Sequence, residues 1–125
     1  EVTCGVHNLN GIIETFPITE IVSENDFFDF EAKYEGKSKE ITPARISKDL
    51  AKKVSERTIE IYQLLDLNGI ARVDFIIMDN EPYTIEANTV PGLSEESIIP
   101  QQALFKGMSL SELFNQSVEH MFYGK

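Results

Sequence analysis

Two short runs of β-branched and aromatic residues set the tightest limit on the fold of this chain. Residues 70–78 and 83–89 have the composition of strands, and the Asp-Asn-Glu-Pro sequence between them is typical of a turn. The pattern therefore predicts a β-hairpin. Because successive side chains of a strand point to opposite faces, the pattern also predicts which side chains share a face.

The predicted hairpin has an apolar face and a polar face. The apolar face comprises Ala71, Val73, Phe75, Ile77, Tyr83, Ile85 and Ala87. The polar face comprises Arg72, Asp74, Thr84, Glu86 and Asn88. With a three-residue loop at 79–81, Asp74 would lie opposite Glu86, and Arg72 would lie opposite Asn88. A two-residue loop would break this arrangement.

Two carboxylates directly opposite each other repel unless a positive charge lies between them. Asp74, Glu86 and the amide oxygen of Asn88 are hard oxygen ligands with no His or Cys beside them. This set favours Mg²⁺ or Mn²⁺ over zinc. The alternative is a solvated ionic face on which Arg72 offsets the acidic side chains, and the hairpin alone does not decide between the two.

A glycine turn and a helix start follow the hairpin. Pro91 and Gly92 predict a turn, and residues 94–97 supply candidate N-caps for a helix that begins near Ile98. The backbone N–H groups at a helix N-terminus can bind an anion. Metal ligands, a glycine turn and a helix start together indicate a site that handles phosphate.

Five motifs in chain order resemble the carboxy-terminal part of the D-alanine–D-alanine ligases, an ATP-grasp family. They are DFEAKY at 29–34, TPA at 42–44, ARVDF at 71–75, EANTVPG at 86–92 and SEESIIP at 94–100. The predicted fold class is α+β, with a mostly antiparallel sheet flanked by helices. The resemblance implies that this is the C-terminal half of an ATP-grasp fold, and that residues 1–125 form a single domain of a longer enzyme.

The resemblance also implies an activity for that longer enzyme. It would use ATP to activate the carboxylate of one D-alanine as an acylphosphate, and the amine of a second D-alanine would then displace phosphate. The product would serve peptidoglycan synthesis, and hence the cell wall and cell shape. The implied cofactors are ATP and two Mg²⁺ or Mn²⁺ ions. The implied partners are D-alanine and the N-terminal and central domains of the same enzyme, and a homodimer of the full enzyme is compatible with the family.

The resemblance assigns five residues to the phosphates and the nucleotide. Asp74, Glu86 and Asn88 would hold the metal that bridges the phosphates. Arg72 would steady the acylphosphate and the oxyanion of the tetrahedral intermediate. Glu1 would hydrogen-bond the ribose of ATP.

Other residues take roles in the active-site loop and around the substrate. The polar stretch 23–43 is predicted to be a loop, and in the family it closes over the nucleotide. Within it, Lys33 would reach the phosphates and Tyr34 would help to shut the acceptor side. Gly92 and Ser97 would hold the carboxylate of the ligand.

One departure from the family lies beside this carboxylate site. The ligases commonly have Met or Phe followed by Thr after the Pro-Gly pair, whereas this chain has Leu93 and Ser94. Glu95 and Glu96 then place two negative charges near the proposed carboxylate. These charges suit a helix dipole but oppose an anionic ligand, which makes Ser97 the least secure assignment.

The remaining elements follow from caps and periodicity. Strand-like runs at 1–6 and 11–22 are joined by a turn at 8–11. Ser47 is predicted to cap a helix that stops at Asn68-Gly69, with a stripe of Leu50, Ala51, Val54, Ile61, Leu64 and Leu65. A short helix at 99–106 precedes a last helix that starts with the capping box Ser109–Glu112. The side chains of this last helix predicted to face the core are Leu110, Leu113, Phe114, Met121 and Phe122.

Composition excludes several classes of protein. The formal net charge is -10, from 21 acidic and 11 basic residues, which argues against binding of nucleic acid. No apolar stretch approaches the roughly 20 residues that span a bilayer, so we expect no membrane segment and a cytoplasmic protein. The single cysteine, Cys4, is predicted to be a small buried apolar residue. His7 and His120 lie in no metal-ligand spacing and are predicted to be structural or exposed.

Two alternatives to this ligase remain open. Another ATP-grasp carboxylate–amine ligase would share the metal hairpin but use a different acceptor. A non-catalytic metal-binding module would need no nucleotide loop, so Lys33 and Tyr34 within DFEAKY distinguish the two classes. Whether the full enzyme is this ligase or another ATP-grasp ligase, the 125-residue chain is expected to be inactive alone, because it contains no Gly-rich phosphate motif.

Overall fold

The computed structural model describes residues 1–23 and 38–123. In this part of the chain a six-stranded antiparallel sheet is flanked by three helices. The strands are β1 (Val2–His7), β2 (Glu14–Thr15), β3 (Thr19–Ser23), β4 (Ser38–Ile41), β5 (Ala71–Met78) and β6 (Glu81–Asn88). The helices are α1 (Lys48–Leu64), α2 (Ile98–Phe105) and α3 (Leu110–Tyr123). The strand order is β4-β3-β1-β5-β6, and β2 pairs with β1. The predicted fold class is confirmed.

The central strand β1 is buried throughout, because both of its faces are covered. Its even-numbered residues Val2, Cys4 and Val6 pack with β5 residues against α1. Its odd-numbered residues face α2, and a Cβ added to Gly5 would lie 2.7 Å from Gln102 Oε1. The apolar face predicted for β5 is confirmed, since Ala71, Val73 and Phe75 are all buried against the α1 side.

Helix α1 begins at the predicted cap, because the backbone N–H of Leu50 donates to Ser47 Oγ at 3.1 Å. Its buried residues are spaced four apart: Leu50, Val54, Thr58 and Tyr62. The prediction for Leu64 is wrong, since that side chain is 82% exposed. Two residues after Tyr62, it lies about 200° around the helix from the buried stripe. Leu65 is also exposed and is the C-cap rather than part of the stripe.

The hairpin turn has two residues rather than the three expected. Asp79 and Asn80 both have positive φ, at 52° and 61°, as a tight turn between twisted strands requires. A β-bulge between Asp74 and Phe75 then restores the predicted register nearer the strand ends, with Asp74 opposite Glu86. The expectation that a two-residue loop would break the acid pairing is therefore wrong.

The bulge also changes which side chains of β6 share a face. Beyond it, Thr84 pairs with Phe75 and Tyr83 pairs with Ile76. Tyr83 is 51% exposed and Ile85 is 48% exposed, so neither joins the apolar face as predicted. Ala87 pairs with Val73 and keeps its predicted side. The extra residue of the bulge reverses the alternation of faces along the strand.

The capping box at the start of α3 is confirmed. Glu112 N donates to Ser109 Oγ at 3.1 Å, and Ser109 N donates to Glu112 Oε1 at 3.4 Å. Leu113 is fully buried against α2, and Leu110 is partly buried, as predicted. The prediction fails for Phe114, Met121 and Phe122, which are exposed. The inward stripe of α3 instead continues through 117 and 120, and Phe122 lies about 140–160° around the helix from these two positions.

Two further differences concern the predicted loop at 23–43 and the short helix. Residues 38–41 form β4, which pairs with β3 through Glu20↔Ile41 and the pairs that follow. Lys33, Tyr34 and the DFEAKY motif lie outside the described residues. Helix α2 begins at Ile98, one residue earlier than expected. None of the described helices has the length and apolar character needed to cross a membrane.

Candidate functional site

The hairpin brings four of the predicted site residues onto one face of the sheet. Arg72 pairs with Asn88, and Asp74 pairs with Glu86. Side chains directly opposite each other in an antiparallel pair have Cβ atoms about 4.5–5.5 Å apart. The arrangement predicted from alternation is therefore present. It places two carboxylates, an amide and a guanidinium within reach of one another.

Asp74 is the most strongly held member of this set. It is only 5% exposed. Arg72 donates to both of its oxygens, from Nε to Oδ1 at 3.1 Å and from Nη2 to Oδ2 at 3.3 Å. Thr3 Oγ1 donates to Oδ1 at 2.6 Å. Paired donors of this kind fix the plane of a carboxylate as well as its position.

Sequence reasoning missed Thr3. Its side chain reaches Asp74 because β1 and β5 pair with Thr3 opposite Asp74. This register joins strands about 70 residues apart in the chain, and no turn between them sets it. Alternation also places the side chain of Glu1, directly before β1, on the face of Thr3. Glu1 itself is exposed.

Glu86 and Asn88 are held much less tightly. Glu86 is exposed, and its side chain has no hydrogen bond or ion pair within residues 1–23 and 38–123. Asn88 Oδ1 accepts a hydrogen bond from Val90 N at 3.0 Å, which stabilises the start of the turn at Pro91. One carboxylate is thus fixed, and its cross-strand partner is free to adjust.

These residues fit a hard divalent cation by donor chemistry. Asp74, Glu86 and Asn88 supply oxygen atoms only, which suits Mg²⁺ or Mn²⁺. No cluster of three or more His, Cys, Asp or Glu side chains able to hold a metal occurs among the described residues. A cation here would therefore take its other ligands from Asn88, water or phosphate oxygens, as Mg²⁺ commonly does.

The residues predicted to bind a carboxylate form a second small group. Ser97 occupies the N-cap position of α2, but its side chain makes no capping hydrogen bond. Instead, its Oγ shares a hydrogen bond of 2.7 Å with Ser94 Oγ. A Cβ at Gly92 would lie 2.8 Å from Ser97 Oγ, so a side chain at position 92 would displace this hydroxyl. The side chains of Glu95 and Glu96 are exposed.

A cleft of about 500 Å³ lies beside α2. It is lined by Thr19, Glu40, Thr42, Glu96, Ile98, Gln101, Leu104 and Phe105. None of the predicted site residues that the structure describes is among them. The acidic face of the hairpin therefore does not form a wall of this cleft.

The remaining candidate side chains are structural. Burial raises the pKa of the Cys4 thiol to about 12, so it is a packed thiol rather than a nucleophile, as predicted. His7 is buried against the Phe16 ring at a centroid distance of 4.9 Å. His120 Nε2 lies 2.8 Å from Asn68 Oδ1. The prediction that both histidines are structural or exposed agrees with these positions.

Solved structures share this fold over almost the whole chain. A D-alanine–D-alanine ligase from Bacillus anthracis, solved in complex with ATP, has a TM-score of 0.79 at 26% identity. The match covers 94% of this chain and 36% of that one. A D-Ala:D-Ser ligase from Enterococcus faecalis has a TM-score of 0.75 at 28% identity and covers 94% of this chain and 34% of its own. The sheet, its helices and the acidic hairpin define the carboxy-terminal domain of an ATP-grasp protein.

Sequence comparison narrows this class further. A curated D-alanine–D-alanine ligase from Flavobacterium johnsoniae is 59% identical over 119 residues, which is 95% of this chain and 37% of the relative. The family model described as "D-ala D-ala ligase C-terminus" matches residues 1–119. The chain belongs to this family. It spans little more than a third of the length of the curated relative.

Proposed function

We propose that this chain is the carboxy-terminal part of an ATP-dependent D-alanine–D-alanine ligase that makes a peptidoglycan precursor. The observation that carries the proposal is the cross-strand pair Asp74–Glu86, with Arg72 on the same face. The 59% identity to a curated ligase supports the D-alanine substrate. The N-terminal and central domains of the ligase would complete the enzyme, since the chain covers 37% of that relative. We further propose a cytoplasmic enzyme, with a homodimer as one possible assembly.

In this proposal Asp74, Glu86 and Asn88 hold Mg²⁺ or Mn²⁺, with two ions expected. The bound metal supplies positive charge that offsets the charge on the transferring phosphate. Asp74 is suited to a fixed ligand because three donors already orient it. Glu86 has no such partner in the described part of the chain, so its carboxylate can move toward a cation without breaking a hydrogen bond.

Arg72 has two tasks in the same proposal. Its guanidinium orients Asp74 through two hydrogen bonds. The donors that these bonds leave unused can contact the acylphosphate and the oxyanion of the tetrahedral intermediate. A guanidinium has five N–H groups, and preorganised donors at a developing negative charge are among the largest contributions to catalysis.

The acceptor side is assigned to Gly92 and Ser97. Their close approach keeps the Ser97 hydroxyl at the start of α2, where the positive end of the helix favours a carboxylate. Lys33, Tyr34 and Glu1 remain assignments by family resemblance, to the phosphates, the acceptor side and the ribose of ATP. The exposed Glu95 and Glu96 place two negative charges near this carboxylate site and oppose an anionic ligand there.

A ligase with a different acceptor is the second candidate. The fold match to a D-Ala:D-Ser ligase shows that this architecture also occurs in an enzyme with another amino acid as acceptor. The higher identity to a D-alanine–D-alanine ligase favours D-alanine. A non-catalytic metal-binding module is disfavoured by the family match across residues 1–119.

The deciding experiment is an ADP-release assay on the full-length protein that contains this chain. ATP and Mg²⁺ are supplied with D-alanine alone, or with D-alanine plus D-serine or D-lactate, and the products are identified by mass spectrometry. We expect ADP, phosphate and D-alanyl-D-alanine from D-alanine alone, and no turnover without the metal. A mixed product in preference to the D-alanine dipeptide would favour the second candidate, and absence of turnover with every acceptor would refute both.

A further inference from the structure

We propose that Thr3 is a positioning residue for the Asp74 carboxylate, and that buried Gln102 holds Thr3 in place. The proposal rests on the proposed function, because it concerns how the metal ligand is oriented. Thr3 and Gln102 are both fully buried and touch none of the reacting groups assigned above. Their effect on a bound metal would be transmitted through Asp74.

The two carboxylate oxygens of Asp74 differ in how their acceptor sites are filled. Each carboxylate oxygen offers about two acceptor sites. Oδ1 accepts from both Thr3 Oγ1 and Arg72 Nε, whereas Oδ2 accepts only from Arg72 Nη2 among the described residues. Thr3 therefore occupies the last site on one oxygen, so that a cation would bind through Oδ2. Without the hydroxyl, Oδ1 would keep a free acceptor site, and a cation could bind through either oxygen.

Gln102 holds the backbone of β1 through its side-chain amide. Gln102 Nε2 donates to Thr3 O at 3.0 Å, and its Oε1 accepts from Gly5 N at 3.1 Å. These two backbone groups point to the β3 side of β1, as Gly5 O does when it accepts from Phe16 N. A neighbouring strand would normally supply the acceptor for Gly5 N.

Gln102 takes the place of a strand partner because the ladder beside β1 is interrupted. The β1–β3 pairing includes Thr3↔Thr19, and the β1–β2 pairing resumes at Val6↔Thr15. Gly5 lies between these two pairings and belongs to neither. Gln102 Oε1 supplies the acceptor for Gly5 N at this gap, and Gln102 Nε2 also donates to Thr19 Oγ1 at 2.9 Å.

Gln102 also connects the carboxylate-binding helix start to the metal ligand Asp74. Gln102 belongs to α2, the helix that begins beside Ser97. Its hydrogen bonds attach this helix to the strand that carries Thr3, and Thr3 orients Asp74. The start of the carboxylate-binding helix and the metal ligand are thus held in a fixed relation by one side chain. Gly5 permits this contact, because a Cβ there would lie 2.7 Å from Gln102 Oε1.

The test compares Thr3→Val, Thr3→Ala and Thr3→Ser in the full-length protein. Valine keeps the shape of threonine and removes the hydroxyl, alanine removes the hydroxyl without added bulk, and serine retains it. Thr58→Val is the matched control, because Thr58 is also fully buried but its hydroxyl donates to Val54 O within α1. Mn²⁺ binding in the presence of ADP is measured by electron paramagnetic resonance, and folding by thermal unfolding.

We expect Thr3→Val and Thr3→Ala to weaken Mn²⁺ binding by about 10- to 100-fold, the usual effect of losing a partner that orients a metal ligand. Thr3→Ser and Thr58→Val should bind Mn²⁺ as the wild type does. Unchanged binding in a folded Thr3→Val or Thr3→Ala protein would overturn the proposal, as would equal weakening in Thr58→Val. Loss of cooperative unfolding in both hydroxyl-free variants would also overturn it, since Thr3 would then be required for folding alone.

These outcomes are separable from failure of the proposed function. A wild-type protein that binds Mn²⁺ and ADP but forms no D-alanine dipeptide would refute the ligase assignment and leave the comparison of variants valid. A wild-type protein that makes the dipeptide, with Thr3→Val binding Mn²⁺ normally, would refute only the role of Thr3.

Discussion

Neutralising Glu86 should separate the stability of this protein from its activity. Asp74 is buried and accepts three hydrogen bonds, whereas Glu86 is exposed and lacks a partner in the described ranges. Glu86→Gln removes a charge that lies opposite a like charge. Like charges directly opposite on a sheet destabilise it by roughly 0.2–1 kcal/mol. The variant should therefore be as stable as the wild type, or more stable by about that amount.

Asp74→Asn should behave differently. Its amide nitrogen would face a donor of Arg72 or Thr3, and the guanidinium would lose its charge partner at a site where Arg72 is 21% exposed. Removing one partner of a buried ion pair costs about 3–5 kcal/mol, and the partial exposure of Arg72 lowers this to about 2–3 kcal/mol. Both variants should lose ATP-dependent turnover by at least about 100-fold, because each removes charge that holds the metal.

The assay is urea unfolding alongside ADP release at saturating Mg²⁺, both on the full-length protein. Asp79→Asn is the matched control for Asp74→Asn, since it makes the same change at the tip of the same hairpin. Glu119→Gln, on an exposed position of α3, is the control for Glu86→Gln. Near-normal turnover in Glu86→Gln, or a loss of more than about 1 kcal/mol of stability, would refute the reasoning from burial and pairing.

Three further predictions follow from other parts of the structure. Burial, with a smaller effect from Lys106, lowers the pKa of His7 below 6.5, so the unfolded chain takes up the proton first and stability should fall as the pH drops below about 6.5. His7→Phe should flatten this decline in urea midpoints measured at pH 5 and pH 7.5, and an unchanged slope would contradict it. Gly92→Ala should displace Ser97 and reduce kcat/KM for D-alanine by about 10- to 100-fold, with the KM for ATP unchanged; equal effects on both substrates would place Gly92 outside the acceptor site. The 125-residue chain alone should unfold cooperatively but release no phosphate with ATP, Mg²⁺ and D-alanine, and turnover near that of the full-length ligase would show that the active site is misplaced.

The pairing of the site residues was predictable because it depends on local alternation. Asp74 and Glu86 occupy one face of a single hairpin, and the chain between them is short. The length of the loop was not predictable from the same pattern. The two-residue turn depends on positive φ at Asp79 and Asn80, and the alternation of side chains does not mark where the compensating bulge falls.

The supporting residues could not be predicted, because they depend on contacts between distant segments. Thr3 and Asp74 are 71 residues apart, and Gln102 and Thr3 are 99 residues apart. Nothing in the pattern around Gln102 distinguishes it from Gln101, whose side chain instead donates to the carbonyl of Glu95. Helical periodicity likewise indicated an apolar stripe in α1 but did not fix where it ends, so the exposed Leu64 was assigned to the core.

The bulge beside Asp74 makes the tip of the hairpin a separable module for protein engineering. The pairs from Phe75↔Thr84 to Met78↔Glu81 lie on the turn side of the bulge, and the acid pair lies on the other side. A change in the turn can be absorbed by shifting these four pairs, while Asp74 still meets Glu86. A reporter peptide inserted between Asp79 and Asn80 should therefore leave metal binding intact. Deletion of Ile85, the extra residue, should remove the bulge without moving the acid pair, because Glu86 would then follow Thr84 directly and still lie opposite Asp74.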